Sequence, residues 1–141
     1  MIPILILSFI WAFLEGKREA QYFHYKWSQP SPLEIPDEHF DFTIQRFTYV
    51  LVSSLFIWSS IGFLYGLITF VSIALCFSFI HNGSYYLRRN YMNPEVYKEK
   101  WKSQSNTTTA KFTFSYKTRL IFFILGLLIS FFGYIIHLSN N

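Results

Sequence analysis

Residues 47–80 have the sequence FTYVLVSSLFIWSSIGFLYGLITFVSIALCFSFI, and this stretch decides the fold of the chain. It runs for 34 residues without a charged side chain. One helix of that length would measure about 51 Å, which is too long for a single crossing of a hydrocarbon core of about 30 Å. Ser59, Ser60 and Gly62 lie at the centre of the stretch and favour a turn there. The stretch therefore predicts two membrane-spanning helices joined by a tight hairpin.

Two further uncharged runs flank this stretch, at residues 2–14 and 120–138. The later run is long enough to span a membrane by itself. The earlier run is short and ends at Glu15, but no basic residue precedes it and no small-residue cleavage site follows it, so we expect it to be retained as a helix that continues past Glu15. The sequence predicts a single transmembrane domain over residues 1–141, with helices at about 2–25, 37–60, 63–89 and 117–138.

The composition supports a membrane protein. Of the 141 residues, 52% are hydrophobic and only 14% are charged, which is unlike a soluble globular domain. The lone Cys76 excludes an intramolecular disulfide and is expected to be a small packing residue. The net charge of +4 is explained by basic cytoplasmic loops, and the sequence has no pattern typical of a nucleic-acid-binding surface.

Charge placement indicates the number of spans. All 12 Lys and Arg and all 8 Asp and Glu fall in or beside the segments expected at about 26–36 and 90–116. Four spans place both segments on one side, in agreement with the positive-inside bias, whereas three spans would divide them. We therefore expect an all-α integral membrane protein with four transmembrane helices in an up-down bundle. Both termini are expected on the non-cytoplasmic side of a bacterial inner membrane or an equivalent membrane.

The third loop contains a pattern typical of an interfacial helix. Asn93 can cap a helix that begins at Pro94. Tyr97 and Trp101 are four residues apart and therefore share a face, with three lysines beside them. This short helix is expected to rest on anionic headgroups.

Each predicted span carries one stripe of small or polar residues at helical spacing. Such stripes are typical of packing between transmembrane helices, because small residues allow close approach and hydroxyl groups bond across the interface. The stripes consist of Ser8, Ala12, Glu15, Glu19 and Tyr22 in the first helix; His39, Arg46, Ser53 and Ser60 in the second; Tyr65, Thr69, Ser72 and Cys76 in the third; and Gly126, Ser130, Gly133 and His137 in the fourth.

Two charges lie too deep to be loop residues. Measured from the outer ends of their helices, Glu15 and Arg46 are both about 21 Å down, inside the hydrocarbon edge. A charge at that depth costs about 2 to 3 kcal/mol and is expected to face the bundle and to be paired. The sequence therefore predicts an ion pair between Glu15 and Arg46, which serves either as a clamp on helix register or as the floor of a polar cavity.

A wider cluster of chemically capable residues lies just beyond this level. The candidate catalytic residues are Glu15, Glu19, Arg46, His39 and His81. Glu19, His39 and His81 can in principle ligate Zn or Fe. No compact metal motif is present. His81 lies opposite Ser72 on an ideal helix, and His24 likewise lies opposite Glu15, so a bend at Gly83 or at Gly16, respectively, is expected to be needed to bring either histidine inward.

Three classes of function remain open from the sequence. The first is a small polytopic membrane protein of accessory, assembly or scaffold type, whose basic aromatic cytoplasmic face binds membrane lipids, a second copy of the chain or a membrane protein partner. The alternative is a small intramembrane enzyme, with or without a metal, that acts on a lipid-like substrate through the Glu, His and Arg cluster. A channel or transporter is the third possibility, although nothing resembles a selectivity filter.

Overall fold

A computed structural model describes residues 2–27, 38–97 and 114–140, and these ranges are helical almost throughout. The helices are α1 (Ile2–Trp27), α2 (Glu38–Ile61), α3 (Phe63–Met92), the single-turn α4 (Pro94–Tyr97) and α5 (Tyr116–Ser139). The four long helices begin and end within three residues of the predicted bounds. The predicted all-α class is confirmed for these ranges, and α3 and α5 are each long and apolar enough to cross a membrane.

The hairpin predicted within residues 47–80 is present and very tight. α2 ends at Ile61, and α3 begins at Phe63, so a single residue, Gly62, makes the turn. Its φ of 112° lies in a region that residues with a Cβ rarely adopt, which explains why glycine stands there. The backbone N–H of Gly62 still bonds the Trp58 carbonyl oxygen at 2.9 Å, so the end of α2 remains hydrogen-bonded into the turn.

α3 is the central helix, and α1, α2 and α5 each pack against it. This arrangement differs from a simple ring in which each helix packs beside the next one in sequence. α1 and α3 run in the same direction, because side chains from the late parts of both meet at one end of the molecule, where α2 begins. At the other end, Asn140 of α5 approaches the Tyr65 hydroxyl near the start of α3, so α5 runs opposite to α3.

Glycines permit the close approach of the outer helices to α3. A Cβ at Gly16 of α1 would collide with the Ser84 hydroxyl and the His81 carbonyl oxygen. A Cβ at Gly126 of α5 would lie 2.6 Å from the Cys76 Sγ. On α3 itself, a Cβ at Gly66 would lie 2.7 Å from the Trp58 Cβ in α2. Gly66 therefore serves packing within this hairpin.

Polar residues face inward, and large apolar residues face outward. The buried polar residues come from α1, α2, α3 and α5: Ser8, Glu15, Glu19, Ser54, Thr69, Ser72, Ser84, Arg89, Arg119 and Ser130. Many large apolar side chains on the same helices are exposed, including Leu7, Val52, Leu64 and Phe132. The small buried apolar core contains Leu5, Val50 and Ile73. This distribution is the reverse of that in a protein folded in water.

The polar stripes predicted for three helices lie largely in the interior, but the stripe predicted for α2 is wrong. Ser60 is exposed and Ser53 is only half-buried, whereas Val50, Ser54 and Ile57 are the buried residues of α2. The buried face is rotated because α2 approaches α3 through small residues close to the hairpin, where Ser54 lies against Gly66. The predicted stripe joined polar side chains that recur every seven residues, whereas the contact with α3 determines which face of α2 is buried.

The interfacial helix predicted in the third loop is described only at its start. α4 begins at Pro94, as predicted, directly after Asn93 ends α3. The backbone N–H of Asn93 bonds the Arg89 carbonyl oxygen at 2.9 Å. Trp101 and the lysines that follow Tyr97 lie outside the described residues.

Candidate functional site

Three helices bring a carboxylate, a guanidinium and an imidazole into contact at the charged end of the molecule. We call Glu19, Arg46 and His81 the boundary triad. The Arg46 Nη2 donates to Glu19 Oε2 at 2.6 Å, and the His81 Nε2 lies 2.7 Å from the same oxygen. Arg46 Nη2 and His81 Nε2 are 3.0 Å apart. The triad thus joins α1, α2 and α3 through one carboxylate oxygen.

The short distance between Glu19 and His81 fixes the position of a hydrogen atom. A carboxylate oxygen and a bare imidazole nitrogen are both acceptors, so a separation of 2.7 Å requires a hydrogen between them. With His81 neutral, Nε2 carries that hydrogen and donates it to Glu19. Nε2 then has no lone pair left for Arg46, so the guanidinium bonds to the carboxylate and only touches the imidazole edge.

Aromatic rings enclose the triad. The Arg46 guanidinium lies 5.7 Å from the Phe42 ring centroid and 5.5 Å from the Phe77 ring centroid. Phe77 also stacks on the His81 ring, with 5.1 Å between the ring centroids. The side chains of Glu19 and His81 are only 9% and 12% exposed, while Arg46 retains 25%. Ring faces attract the cation and exclude water, which strengthens the ion pair.

The predicted ion pair between Glu15 and Arg46 is wrong by one helical turn. Glu15 Oε1 instead accepts from Arg18 Nη2 at 2.9 Å, within α1, and Arg46 takes Glu19. Arg18 also donates to the Gln45 side-chain oxygen at 3.0 Å, so it links α1 to α2. The depth count located Cα atoms, but an arginine side chain is long enough to reach a full turn along its helix toward the headgroups.

Of the five candidate catalytic residues, three converge. Glu15 is buried but belongs to the neighbouring pair with Arg18. His39 lies in the first turn of α2, and its side chain is outside the described residues. Within residues 2–27, 38–97 and 114–140, no group of three His, Cys, Asp or Glu side chains that the structure describes could hold a metal ion. Of the three residues predicted to ligate Zn or Fe, Glu19 and His81 are in contact, and the side chain of the third, His39, lies outside the described residues.

His81 reaches the triad without the bend that the sequence analysis required. α3 is one continuous helix from Phe63 to Met92. Since α3 is central, two of its faces are buried: Cys76, on one side, donates to the Phe123 carbonyl oxygen of α5 at 3.6 Å, and His81 faces α1 and α2. The bend was expected because only one face of each helix was taken to be buried.

The interior between α1 and α2 is filled beyond the triad. The Trp11 ring stacks on the Tyr49 ring with 4.1 Å between centroids. The Tyr49 hydroxyl is 3.4 Å from the Ser8 hydroxyl, a long hydrogen bond. These contacts cap the triad on the side toward the uncharged end, so the charged groups lie in a packed interior.

The sequence analysis missed two buried arginines. Arg89 of α3 is 2% exposed and Arg119 of α5 is 5% exposed. Both lie at the charged ends of predicted helices, Arg89 in 63–89 and Arg119 in 117–138, and neither was among the residues expected to face inward. The spacing of residues in α3 indicates that Arg89 is close to a buried side. Ser72, Phe79 and Tyr86 recur every seven residues, so the side of α3 that faces α5 continues almost to Arg89. Arg119 interacts electrostatically with Tyr86 on that side.

The arrangement can hold charge, fix helix register and transfer a proton between Glu19 and His81. All three capabilities follow from short, shielded contacts between groups that differ in charge. No family model, curated protein or solved structure matches the chain. Its function must therefore be argued from these contacts and from the distribution of charged and apolar residues.

Proposed function

We propose that the chain is a non-enzymatic integral membrane protein with four spans, of accessory, assembly or scaffold type. Its termini lie on the non-cytoplasmic side, and its basic aromatic end faces the cytoplasm of a bacterial cell or an equivalent compartment. The observation that carries this proposal is the pairing of the deep charges of α1 and α2: Glu15 with Arg18, and Glu19 with Arg46 and His81.

The pairing matters because α1 and α2 have charges within the lengths that would cross the membrane, unlike the uncharged stretches of α3 and α5. An unpaired charge inside a bilayer costs about 2 to 3 kcal/mol, and pairing within the bundle lowers that cost. The outward apolar side chains of both helices, such as Leu7 and Val52, suit contact with acyl chains. These two features support spans by α1 and α2 as well as by α3 and α5.

A labelling experiment tests the four-span arrangement. Single cysteines replace Ile2, Lys26, Ser59, Glu95 or Asn140 in a Cys76→Ser background, and sealed vesicles are treated with a membrane-impermeant maleimide. We expect positions 2, 59 and 140 to react from one side and positions 26 and 95 from the other. Labelling of positions 26 and 59 from the same side would contradict a span by α2, and labelling of positions 2 and 26 from the same side would contradict a span by α1. Both results together would leave α3 and α5 as the membrane unit.

The intramembrane enzyme is the second candidate, and the contact between Glu19 and His81 favours it, because a carboxylate and an imidazole at 2.7 Å can serve as an acid–base pair. Against it, Arg46 already occupies the carboxylate and aromatic rings cover the guanidinium. Elemental analysis of the purified full-length protein tests the metal-dependent form. Stoichiometric Zn or Fe that is lost in His81→Gln would favour the enzyme over the proposal above.

A further inference from the structure

The two charged segments of the chain differ in sign. Between residues 15 and 46 there are four basic and six acidic residues, a net charge of −2. Between residues 88 and 119 there are eight basic and two acidic residues, a net charge of +6. Together they account for the net charge of +4 of the whole chain. The positive charge is thus concentrated in one of the two segments.

Membrane topology explains the total charge but not its division. The positive-inside bias counts basic residues on the cytoplasmic side, and the four-span arrangement places both segments there. Any division of the basic residues between the two segments satisfies this bias equally well. A strong asymmetry on one side of the membrane therefore needs a second cause, and charge complementarity to a ligand is such a cause.

Contacts within the molecule increase the asymmetry. At the α1 and α2 end, Arg18 and Arg46 are held by the carboxylates of Glu15 and Glu19. At the α3 and α5 end, Lys117 is exposed in the first turn of α5, and Arg88 is half-buried with its guanidinium 5.2 Å from the Tyr91 ring centroid. Glu95 is the only acidic residue between positions 82 and 97 or 114 and 119, parts of the chain that the structure describes.

The end of α3 extends beyond a bilayer. A core of about 30 Å takes up about 20 residues, so a helix that starts at Phe63 leaves the hydrocarbon near Asn82 and continues to Met92. Arg88 and the 78% exposed Tyr91 therefore lie at headgroup level. Lys117 lies near the point where α3 leaves the hydrocarbon, because Tyr116 beside it contacts the ring of Phe79, three residues before Asn82, at 5.8 Å between centroids. Basic and tyrosine side chains together are typical of headgroup contact.

We propose that the end of α3 and the start of α5 form a docking surface for the headgroups of anionic phospholipids, with the half-buried Arg88 and the exposed Lys117 as its contacts. The proposal rests on the membrane-spanning arrangement proposed above and names the partner of the basic end. Attraction of a surface basic residue to an anionic leaflet corresponds to about 1 kcal/mol, or about fivefold in association for each residue. The attraction is screened over about 10 Å at 0.1 M salt.

Electron paramagnetic resonance of spin-labelled lipids tests this surface. The full-length protein is reconstituted in phosphatidylcholine bilayers that contain a trace of spin-labelled phosphatidylglycerol or spin-labelled phosphatidylcholine, and the immobilised fraction at the protein surface is measured. We expect about fivefold preferential association of phosphatidylglycerol, because each bound headgroup contacts one of the two basic residues, and this preference weakens at high salt. Arg88→Gln with Lys117→Gln should reduce the preference to near onefold.

The matched control removes the same number of positive charges from α1. Lys17→Gln with Lys26→Gln should retain the preference, and circular dichroism checks that both double variants are folded. The proposal is overturned by a wild-type protein that does not prefer phosphatidylglycerol, by an equal loss in the control, or by displacement of the labelled lipid with inorganic phosphate, which would indicate a site for free anions. If cysteine labelling fails to show four spans while this preference persists, only the proposed function is contradicted.

Discussion

Arg46 is the residue on which the contact between α1 and α2 depends most. Its guanidinium bonds Glu19, touches His81 and lies over two phenyl rings, one from its own helix and one from α3. An arginine in such a site contributes through packing as well as charge, because its planar group offers flat faces to aromatic rings while its edge donates hydrogen bonds. Lysine would supply the charge but not this geometry.

Arg46→Gln should lower the free energy of unfolding in detergent by about 3 kcal/mol. The substitution leaves the Glu19 carboxylate buried with only the neutral His81 as a donor, and breaking a buried ion pair from one side costs about 3 to 5 kcal/mol. The partial exposure of Arg46 favours the lower value. Thermal unfolding followed by circular dichroism measures the change.

Lys17→Gln is the control, since it removes an equal charge from a half-buried site on α1 and should change stability by less than about 1 kcal/mol. The double variant Glu19→Gln with Arg46→Gln should be more stable than Arg46→Gln alone, because no charge is then left unpaired. If Arg46→Gln is as stable as wild type, the ion pair of Arg46 neither fixes the register of the helices nor forms the floor of a polar cavity.

At the residue scale, sequence analysis identified which charges point inward but not how they pair. Helical spacing located Glu15 and Glu19 on the interior face of α1 because the angular position of a Cα follows from residue number. For Arg46, the cost of a charge at its depth in the membrane indicated that it faces inward. Pairing depends on side-chain reach, which for arginine equals about one turn of helix. Arg18 lies three residues from Glu15 on the same helix and forms an ion pair with it. Arg46 pairs with Glu19 instead.

At the scale of helices, the glycines of α1 and α5 determine how closely each can approach α3. Gly16 lies one turn before Glu19, and its close contact with the His81 carbonyl oxygen brings the triad within hydrogen-bond distance. Gly126 does the same for α5 against Cys76. Small residues at helix contacts are the usual means of close packing in membranes, where apolar side chains gain little by leaving lipid.

Gly16→Ala should destabilise the protein by about 1 to 3 kcal/mol, because the added methyl group would force α1 away from the α3 backbone. The separation should also weaken the contact between Glu19 and His81. Thermal unfolding in detergent measures the loss. Gly83→Ala is the matched control: nothing lies within 4 Å of its added Cβ, so the better helix propensity of alanine should stabilise α3 by up to about 1 kcal/mol. Equal loss in both variants would show that the close contact at Gly16 is not the cause.

The helices were predicted better than their arrangement. Uncharged runs and turn residues locate helices because the signals lie along the chain, as in the turn at Gly62. The central position of α3 was missed because it depends on which partners each helix finds. A helix with buried polar groups on two sides, Cys76 toward α5 and His81 toward α1 and α2, shows no single polar stripe in its sequence.

At the scale of the whole molecule, paired interior charges and an apolar exterior are the features that the proposed membrane-spanning arrangement requires. α3 provides the axis and, with α5, the uncharged length needed to span a membrane. α1 and α2 add their apolar outer faces, while the carboxylates of Glu15 and Glu19 are buried between the helices. Composition predicted this division in outline, but the opposite net charges of the two segments only acquire meaning once the start of α5 is seen to pack beside the later part of α3.

Replacement of the whole triad by apolar residues distinguishes a structural role from a chemical one. If the triad only compensates the charges of α1 and α2, the variant Glu19→Leu, Arg46→Met, His81→Leu should keep the four-span labelling pattern at positions 26 and 59. Its stability in detergent should be equal to wild type or up to about 3 kcal/mol higher, since well-packed apolar residues often match or exceed a buried ion pair.

The reason for this expectation is that removal of all three polar groups together leaves no unpaired charge, and it also removes the cost of inserting a charge in each helix. Cysteine labelling and thermal unfolding of the same preparation provide the measurement, with Arg46→Gln alone as the destabilised reference. If position 26 instead reacts from the side of position 59, the triad specifies the register and orientation of α1, and hydrophobicity alone does not hold the first two helices in place.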